Sequence, residues 1–222
     1  MIKLNNIRKV YEDKYNTTEA LRGINLEVSK GELVAIIGKS GSGKTTLLNI
    51  IGGMDRATSG EYIFGNINVS QLRGRQLDRF RKENISFIFQ NFALMSEYSV
   101  YENIELPLIA KKINRKQRKR IIKEVLQHLE IEELEKKYPT QISGGQQQRC
   151  AIARALASGN ELILADEPTG SLDRNTSYKI VDQLRELNKT GKTVIIITHD
   201  MDIANMCNRI ICAFQHIALN KT

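Results

Sequence analysis

Residues 38–45 restrict the possible folds of this chain more than any other segment. They read Gly-Lys-Ser-Gly-Ser-Gly-Lys-Thr, which fits the phosphate-loop pattern G-x-x-x-x-G-K-[ST]. The apolar run Leu33–Ile37 precedes the loop, and apolar residues at helical spacing follow it as far as the glycine pair at 52 and 53. A buried strand, a glycine-rich loop and a helix in this order predict an α/β fold that binds a nucleotide.

The residue types in this loop suit a polyphosphate. Glycines allow backbone N–H groups to curl around phosphate oxygens, and the following helix N-terminus adds partial positive charge. Lys44 is expected to reach the β- and γ-phosphates, and the Thr45 hydroxyl to ligate Mg²⁺. ATP and Mg²⁺ are therefore the expected cofactors. The expected ATP-binding residues of this segment are Gly38, Lys39, Ser40, Gly41, Ser42, Gly43, Lys44, Thr45 and Thr46.

Two adjacent acids end the apolar run Leu162–Asp166. Because the carboxyl ends of parallel strands face the ligand crevice, Asp166 is expected to approach Mg²⁺ through water. Glu167 is then placed to orient or deprotonate the attacking water. Together with the loop, the two acids predict Mg²⁺-dependent ATP hydrolysis.

A second helix N-terminus is predicted at Ser143. Ser143 and Gln146 have the spacing of a capping box, and an alanine-rich helical stretch follows them. Capping does not explain Gly144 and Gly145. Glycines disfavour a helix, and they are useful where the backbone must approach another group closely. The segment is consistent with a nucleotide held from two sides.

The rest of the pattern predicts one 222-residue domain with an insertion. Residues 1–90 and 159–222 are expected to form a P-loop NTPase core, a mixed and largely parallel sheet with flanking helices, with an antiparallel β part at its N-terminal end. A hairpin is predicted at Gly65-Asn66. Residues 91–158 show helical spacing without a convincing strand, which predicts an inserted α-helical subdomain. The expected strands are 2–10, 24–28, 33–37, 62–69, 85–89, 162–166 and 194–198.

The composition indicates the cellular location of the chain and the state of its cysteines. No apolar run approaches the roughly 20 residues of a membrane span, and the first residues lack the apolar core of a signal peptide, so a cytoplasmic location is expected. The three cysteines, Cys150, Cys207 and Cys212, have no metal-site spacing and are expected to be free thiols.

The net charge of +8 comes from one segment. Residues 111–123 contain eight lysines and arginines and no acid, while elsewhere 25 basic residues balance 25 acidic ones. A solvated helix face explains this segment, and contact with an anionic membrane surface or an acidic partner loop are alternatives. Nucleic acid is not expected as a partner.

Residues 142–149, Ile-Ser-Gly-Gly-Gln-Gln-Gln-Arg, resemble the signature sequence of ABC ATPases. Their spacing from the loop and the acid pair resembles that of ABC ATPase domains over essentially the whole chain. The resemblance implies a head-to-tail homodimer in which Ser143, Gly144, Gly145 and Gln146 of one subunit face the γ-phosphate bound to the other. Ile142 stands where leucine is commoner, a change that conserves apolar volume.

Further roles follow from the resemblance alone. Gln90 is similar to the glutamine that touches Mg²⁺ and water, and His199 to the histidine that hydrogen-bonds the γ-phosphate. Ser171, Leu172 and Asp173 are similar to the loop that communicates across the dimer. Tyr11 resembles the aromatic residue that stacks on adenine; a half-buried strand tyrosine is the alternative, and Tyr15 is a less suitable substitute. His128 and His216 match no motif and are interpreted as surface residues.

Residues 84–94, 101–108 and 138–139 resemble the macrolide-export and lipoprotein-release branch, which implies a membrane permease as partner and a place at the inner face of the membrane. The tail 210–219 departs from the family, because it lacks the acidic-glycine turn and the closing strand. A non-transport ABC ATPase acting on nucleic acid or ribosomes, and an ATP sensor without turnover, are the alternative functions.

Overall fold

The computed structural model describes residues 1–13, 15–39 and 41–212, and the backbone of 218–220. The strands are β1 (Ile2–Glu12), β2 (Thr17–Val28), β3 (Leu33–Ile37), β4 (Ser59–Phe64), β5 (Ile67–Asn68), β6 (Ile85–Phe89), β7 (Leu162–Asp166), β8 (Thr193–Thr198), β9 (Arg209–Cys212) and β10 (Ala218–Asn220). The helices are α1 (Lys44–Ile51), α2 (Arg75–Asn84), α3 (Val100–Ala110), α4 (Arg115–His128), α5 (Gly144–Ala157), α6 (Arg174–Lys189) and α7 (Met201–Asn205). The predicted mixed α/β fold is confirmed.

A six-stranded sheet forms the centre of the molecule, in the order β10-β9-β3-β8-β7-β6. All neighbouring pairs are parallel except β10 with β9. Along β8, Val194 and Ile196 pack into the core on one face, while Ile195 and Ile197 pack into the core on the other. Because both faces are covered by other elements, the central strands are continuous apolar runs.

The second sheet is antiparallel, in the order β2-β1-β4-β5. Phe64 pairs with Ile67, so the hairpin predicted at Gly65-Asn66 is confirmed. Strand β2 starts earlier than predicted, since β1 pairs with it as far as Glu12 opposite Thr17. The first half of β2 contains exposed polar residues, so the sequence there lacks the apolar pattern that predicts a strand.

Helices α3, α4 and α5 lie between β6 and β7 in the chain, and residues 91–158, all of them described, contain no strand. Ile104, Ile122 and Ile152 are fully buried and join one core with β3, β7 and β8. The absence of strands in this segment agrees with the prediction, while the boundaries of the helical subdomain stay a prediction. Among the described helices, none combines the length and the apolar character of a membrane span.

The C-terminal end corrects one expectation. The sequence of the tail predicts no closing strand, yet β10 pairs antiparallel with β9, with Ala218 opposite Ile211. The prediction is wrong because a ladder needs only backbone N–H and C=O groups, not the acidic-glycine turn. The expectation for His216 lies outside the described residues.

Candidate nucleotide-binding site

The loop between β3 and α1 has the backbone that its glycines predict. Gly41 and Gly43 have φ angles of 76° and 82°, in the left-handed region that favours glycine. A Cβ on Gly43 would lie 2.4 Å from the carbonyl oxygen of Ala20 in β2, so no other residue fits there without movement of the backbone. Ser40 lies outside the described residues.

Lys44 is the first residue of α1, and its ammonium group lies over the loop. Its Nζ donates to the carbonyl oxygens of Gly38 at 2.7 Å and Lys39 at 2.9 Å, and to the Ser42 hydroxyl at 3.4 Å. The N-terminus of α1 at Gly43 has no side-chain cap from the described residues. The loop therefore combines a cation with backbone N–H groups that have no capping oxygen, a combination that suits an anion.

The two acids lie at the ends of neighbouring strands. Asp166 of β7 is in register with Phe89 of β6 and Ile197 of β8. Burial raises the pKa of Asp166, while a hydrogen bond from the Thr45 side chain partly opposes this rise. The Thr45 hydroxyl and the Asp166 carboxylate are thus neighbours.

Glu167 is held in an unusual backbone conformation. Its φ angle is 46°, in a region that few residues other than glycine adopt, and its N–H donates to the Ile197 carbonyl at 2.9 Å. Its Oε1 lies 2.8 Å from Nδ1 of His199, whose side chain is 72% exposed, compared with 17% for Glu167. The carboxylate is therefore fixed between the strand ends, and His199 reaches solvent.

One cavity of about 1520 Å³ brings these residues together. The predicted site residues that line it are Gly38, Lys39, Gly41, Ser42, Gly43, Lys44, Thr45, Thr46, Gln90, Asp166, Glu167 and His199. Sequence reasoning missed the contribution of β2, where residues 18–22 line the same cavity. These residues carry no motif, because their place depends on the pairing of β1 with β2.

Gln90 follows β6 and packs against the loop after Glu167. A Cβ on Gly170 would lie 2.7 Å from Nε2 of Gln90, so Gly170 allows this close packing. The Ser171 hydroxyl lies 3.5 Å from the Gln90 carbonyl. Asp173 then caps α6 through the backbone and hydroxyl of Thr176, and these hydrogen bonds lower the pKa of Asp173. The segment 171–173 connects the cavity to α6.

Ser143 begins α5 with the predicted capping box. Its Oγ accepts from the Gln146 N–H at 3.3 Å, and the Gln146 side chain accepts from the Ser143 N–H at 2.9 Å. Residues 143–146 do not line the cavity of their own chain. A Cβ on Gly145 would lie 2.8 Å from the Thr176 methyl group, whereas a Cβ on Gly144 would make ordinary contacts with Leu172 and Phe92. Packing inside the subunit thus accounts for Gly145 and leaves Gly144 unexplained.

Tyr11 is 43% exposed and is not among the residues that line the cavity. Its hydroxyl donates to Asp55 at 2.7 Å, and the Lys9 ammonium lies 4.7 Å from its ring centre. The adenine contact of Tyr11 stays a prediction.

Other predicted side chains are placed as follows. Cys150 is fully buried, and burial raises the pKa of its thiol to about 12, which agrees with an inert thiol. His128 is exposed, as predicted. In the basic segment, Arg118 pairs with Glu105 at 2.7 Å, and Lys111 donates to the Ser158 carbonyl at 2.7 Å.

The oxygen atoms around Asp166 fit a magnesium ion. Mg²⁺ prefers hydroxyl, carbonyl and carboxylate oxygens, and Thr45, Gln90 and Asp166 bring one of each to the cavity. Burial and the nearby Glu167 charge both raise the pKa of Asp166, so a cation would relieve an unfavourable concentration of negative charge.

Residues 21–170 match the family model described as "ABC transporter". The chain belongs to this family. It is 46% identical over 216 residues to the protein named uncharacterized ABC transporter ATP-binding protein MJ0796 of Methanocaldococcus jannaschii, covering 95% of this chain and 92% of that protein. It is 44% identical over 211 residues to the macrolide export ATP-binding/permease protein MacB of Escherichia coli strain K12, covering 95% of this chain. This ABC chain spans only 33% of MacB.

Solved ABC cassettes share the fold. A dimeric MJ0796 structure in a post-hydrolysis state with ADP and phosphate superposes with a TM-score of 0.88 at 44% identity, covering 96% of this chain and 94% of that chain. CbiO1 of Clostridium perfringens, described as part of the transporter complex CbiONQ, gives a TM-score of 0.84 at 31% identity, covering 95% of this chain and 83% of that chain. The chain is an ATP-binding cassette of the ABC type and an ATPase.

Proposed function

We propose that this chain is the motor subunit of an exporter of the macrolide, peptide or lipoprotein type. Two copies close head to tail on ATP, hydrolyse it and reopen, and this cycle drives a membrane permease. One observation carries the proposal. Lys44, Asp166 and Glu167 line the cavity, while residues 143–146 of the same chain do not, which supports a dimer in which a second copy brings its signature helix to the phosphates.

Each residue has a stated task in this proposal. Lys44 and the loop backbone bind the phosphates, and Tyr11 stacks on adenine. Thr45, Gln90 and, through water, Asp166 hold Mg²⁺, which neutralises charge on the β- and γ-phosphates when bound. Glu167 orients the attacking water and accepts its proton, with His199 at 2.8 Å placed to contact the γ-phosphate.

The proposal also assigns residues to the contacts between the two copies and names a membrane permease as partner. Ser143, Gly144 and Gly145 face the γ-phosphate held by the other copy, and Ser171, Leu172 and Asp173 connect the two sites. The dimeric MJ0796 cassette supports a homodimer. MacB is named an ATP-binding/permease protein, and CbiO1 is described as part of a transporter complex, which supports a permease partner and a peripheral location on the inner face of the membrane. Both relatives are transporter proteins, and no finding favours an action on nucleic acid.

Glu167→Gln tests the proposal. We expect turnover to fall about a thousandfold, because the amide cannot accept the proton, while ATP binding stays within a few-fold. The variant should also accumulate as an ATP-bound dimer in sedimentation velocity. Glu161→Gln is the matched control, since Glu161 lies at the opposite end of β7 and pairs with Lys30. Near-normal phosphate release by Glu167→Gln would remove Glu167 from this role.

A further inference from the structure

Gln148 on α5 contacts the loop that follows the proposed catalytic acid. Its side chain is completely buried, and Nε2 donates to the carbonyl oxygen of Pro168 at 2.6 Å. Because a carbonyl oxygen only accepts, the amide must turn its NH₂ group toward Pro168. The orientation of the side chain is therefore fixed.

The other half of this amide is unfavourable for folding. Oε1 of Gln148 is buried and has no hydrogen-bond partner among the described residues. An unpaired buried amide oxygen destabilises the folded state, and an apolar side chain of similar volume would avoid this loss but would leave the buried Pro168 carbonyl without its donor. Packing alone does not account for a glutamine here, and what the glutamine supplies is the hydrogen bond to Pro168.

That hydrogen bond helps to fix the backbone around Glu167. On one side of Glu167, its N–H is bound to the Ile197 carbonyl of β8 at 2.9 Å. On the other side, Gly170 donates to the Glu167 carbonyl at 3.0 Å, and Gln148 holds the next carbonyl, that of Pro168. A glutamate with a φ angle of 46° needs such support, since a left-handed residue is kept only where its surroundings determine it.

We infer that Gln148 is a positioning residue for Glu167. It keeps the Glu167 carboxylate oriented toward the attacking water, and it makes this orientation depend on the position of α5. The inference rests on the role of Glu167 in the proposed function. Because Ser143 caps the N-terminus of α5, a shift of the signature end of the helix would reach the Glu167 loop through Gln148. The side chain of Gln148 thereby couples the contact of α5 with a second copy to the orientation of the Glu167 carboxylate.

Gln148→Leu in the full chain tests the inference. The variant should melt within about 3 °C of wild type, because removal of the unpaired amide oxygen offsets the loss of the donor to the Pro168 carbonyl, and should bind ATP within threefold of wild type. Its kcat should nevertheless fall about tenfold or more, because Glu167 loses its support. Gln148→Met, which keeps the length of the side chain, makes the same comparison if the leucine variant folds poorly.

Gln183→Leu is the matched control. Gln183 lies on α6 and also has a buried Oε1 without a partner among the described residues, but its amide donates to no described residue of the loop after Glu167, unlike that of Gln148. Its replacement should leave kcat unchanged. A purely structural role for Gln148 would instead lower melting temperature, ATP affinity and kcat together, and that result would overturn the inference.

A double-mutant cycle then tests the route of action. In a Glu167→Gln background, Gln148→Leu should reduce the residual rate by less than twofold, because the group that it positions is already disabled. A full tenfold further loss would show that Gln148 acts elsewhere and would overturn the inference, as would a normal kcat for Gln148→Leu alone. Near-normal turnover by Glu167→Gln alone would refute the role of Glu167, whereas slow turnover by that variant beside a normal rate for Gln148→Leu would refute only the inference.

Discussion

The N-termini of α1 and α5 are the two helix ends for which we propose phosphate contacts, but they differ in how their backbone groups are satisfied. At α1, Gly43 offers no side-chain oxygen, and the Lys44 ammonium rests on loop carbonyls. At α5, Ser143 and Gln146 form a closed capping box. An uncapped helix end is less stable by about 1 kcal/mol than a capped one. The N-terminus of α1 therefore suits an anion within the single subunit, whereas α5 is already capped, and in the proposed function it meets a phosphate only in the dimer.

The largest expected effect lies at α1. Lys44→Ala should weaken ATP binding about a hundredfold or more and reduce turnover to background, because it removes the cation from the phosphate loop. Titration with a fluorescent ATP analogue checks this. Lys30→Ala is the control, since Lys30 is exposed and pairs with Glu161. Unchanged ATP affinity in Lys44→Ala would remove the contrast between the two helix ends.

The next effect separates capping from phosphate contact at α5. Aspartate is as good an N-cap as serine, so Ser143→Asp should keep the melting temperature of the wild type. Its negative charge should nevertheless repel the phosphate of the partner copy and lower turnover about a hundredfold. Ser143→Ala should show the opposite balance, with a stability loss of about 1 kcal/mol and a smaller loss of turnover. Full turnover by Ser143→Asp would mean that Ser143 only caps the helix.

The smallest expected effect concerns the charge beside α1. Burial raises the pKa of Asp166 above its value in the unfolded chain, so the ionised carboxylate reduces stability once the pH exceeds the unfolded pKa. Without nucleotide or Mg²⁺, Asp166→Asn should therefore melt about 1 to 3 °C higher than wild type at pH 7, and this difference should shrink toward pH 4. Thermal melts at both pH values check this, with Asp182→Asn on the exposed face of α6 as the control. A lower melting temperature for Asp166→Asn at pH 7 would contradict the account.

Features carried by local patterns could be predicted from the sequence. The run Leu162–Asp166 and the loop glycines indicate both the strand ends and the place of Lys44, because a buried parallel strand must be apolar and must end at the crevice. The capping box at Ser143 is equally local. These short-range signals locate the phosphate loop and the acid pair, but fewer than half of the residues that line the cavity.

Features that depend on distant contacts could not be predicted. Gln148 lies in the segment that resembles the signature sequence, but its hydrogen bond to Pro168 exists only because α5 packs against the loop that follows β7. The first half of β2 is polar and exposed, so its place at the cavity follows from pairing with β1. The contact between Gly145 and Thr176 likewise depends on the tertiary structure. In each case the second partner lies far along the chain or in another element.

The central claim is that one complete site contains α1 of one copy and α5 of another. Mixing Lys44→Ala with Ser143→Asp tests it most directly, because each variant alone has no intact composite site. In a random mixture, half of the dimers are mixed, and each of these has one intact site out of two, so ATP turnover should recover to about a quarter of the wild-type rate. Turnover that stays at the sum of the two separate variants would contradict the claim.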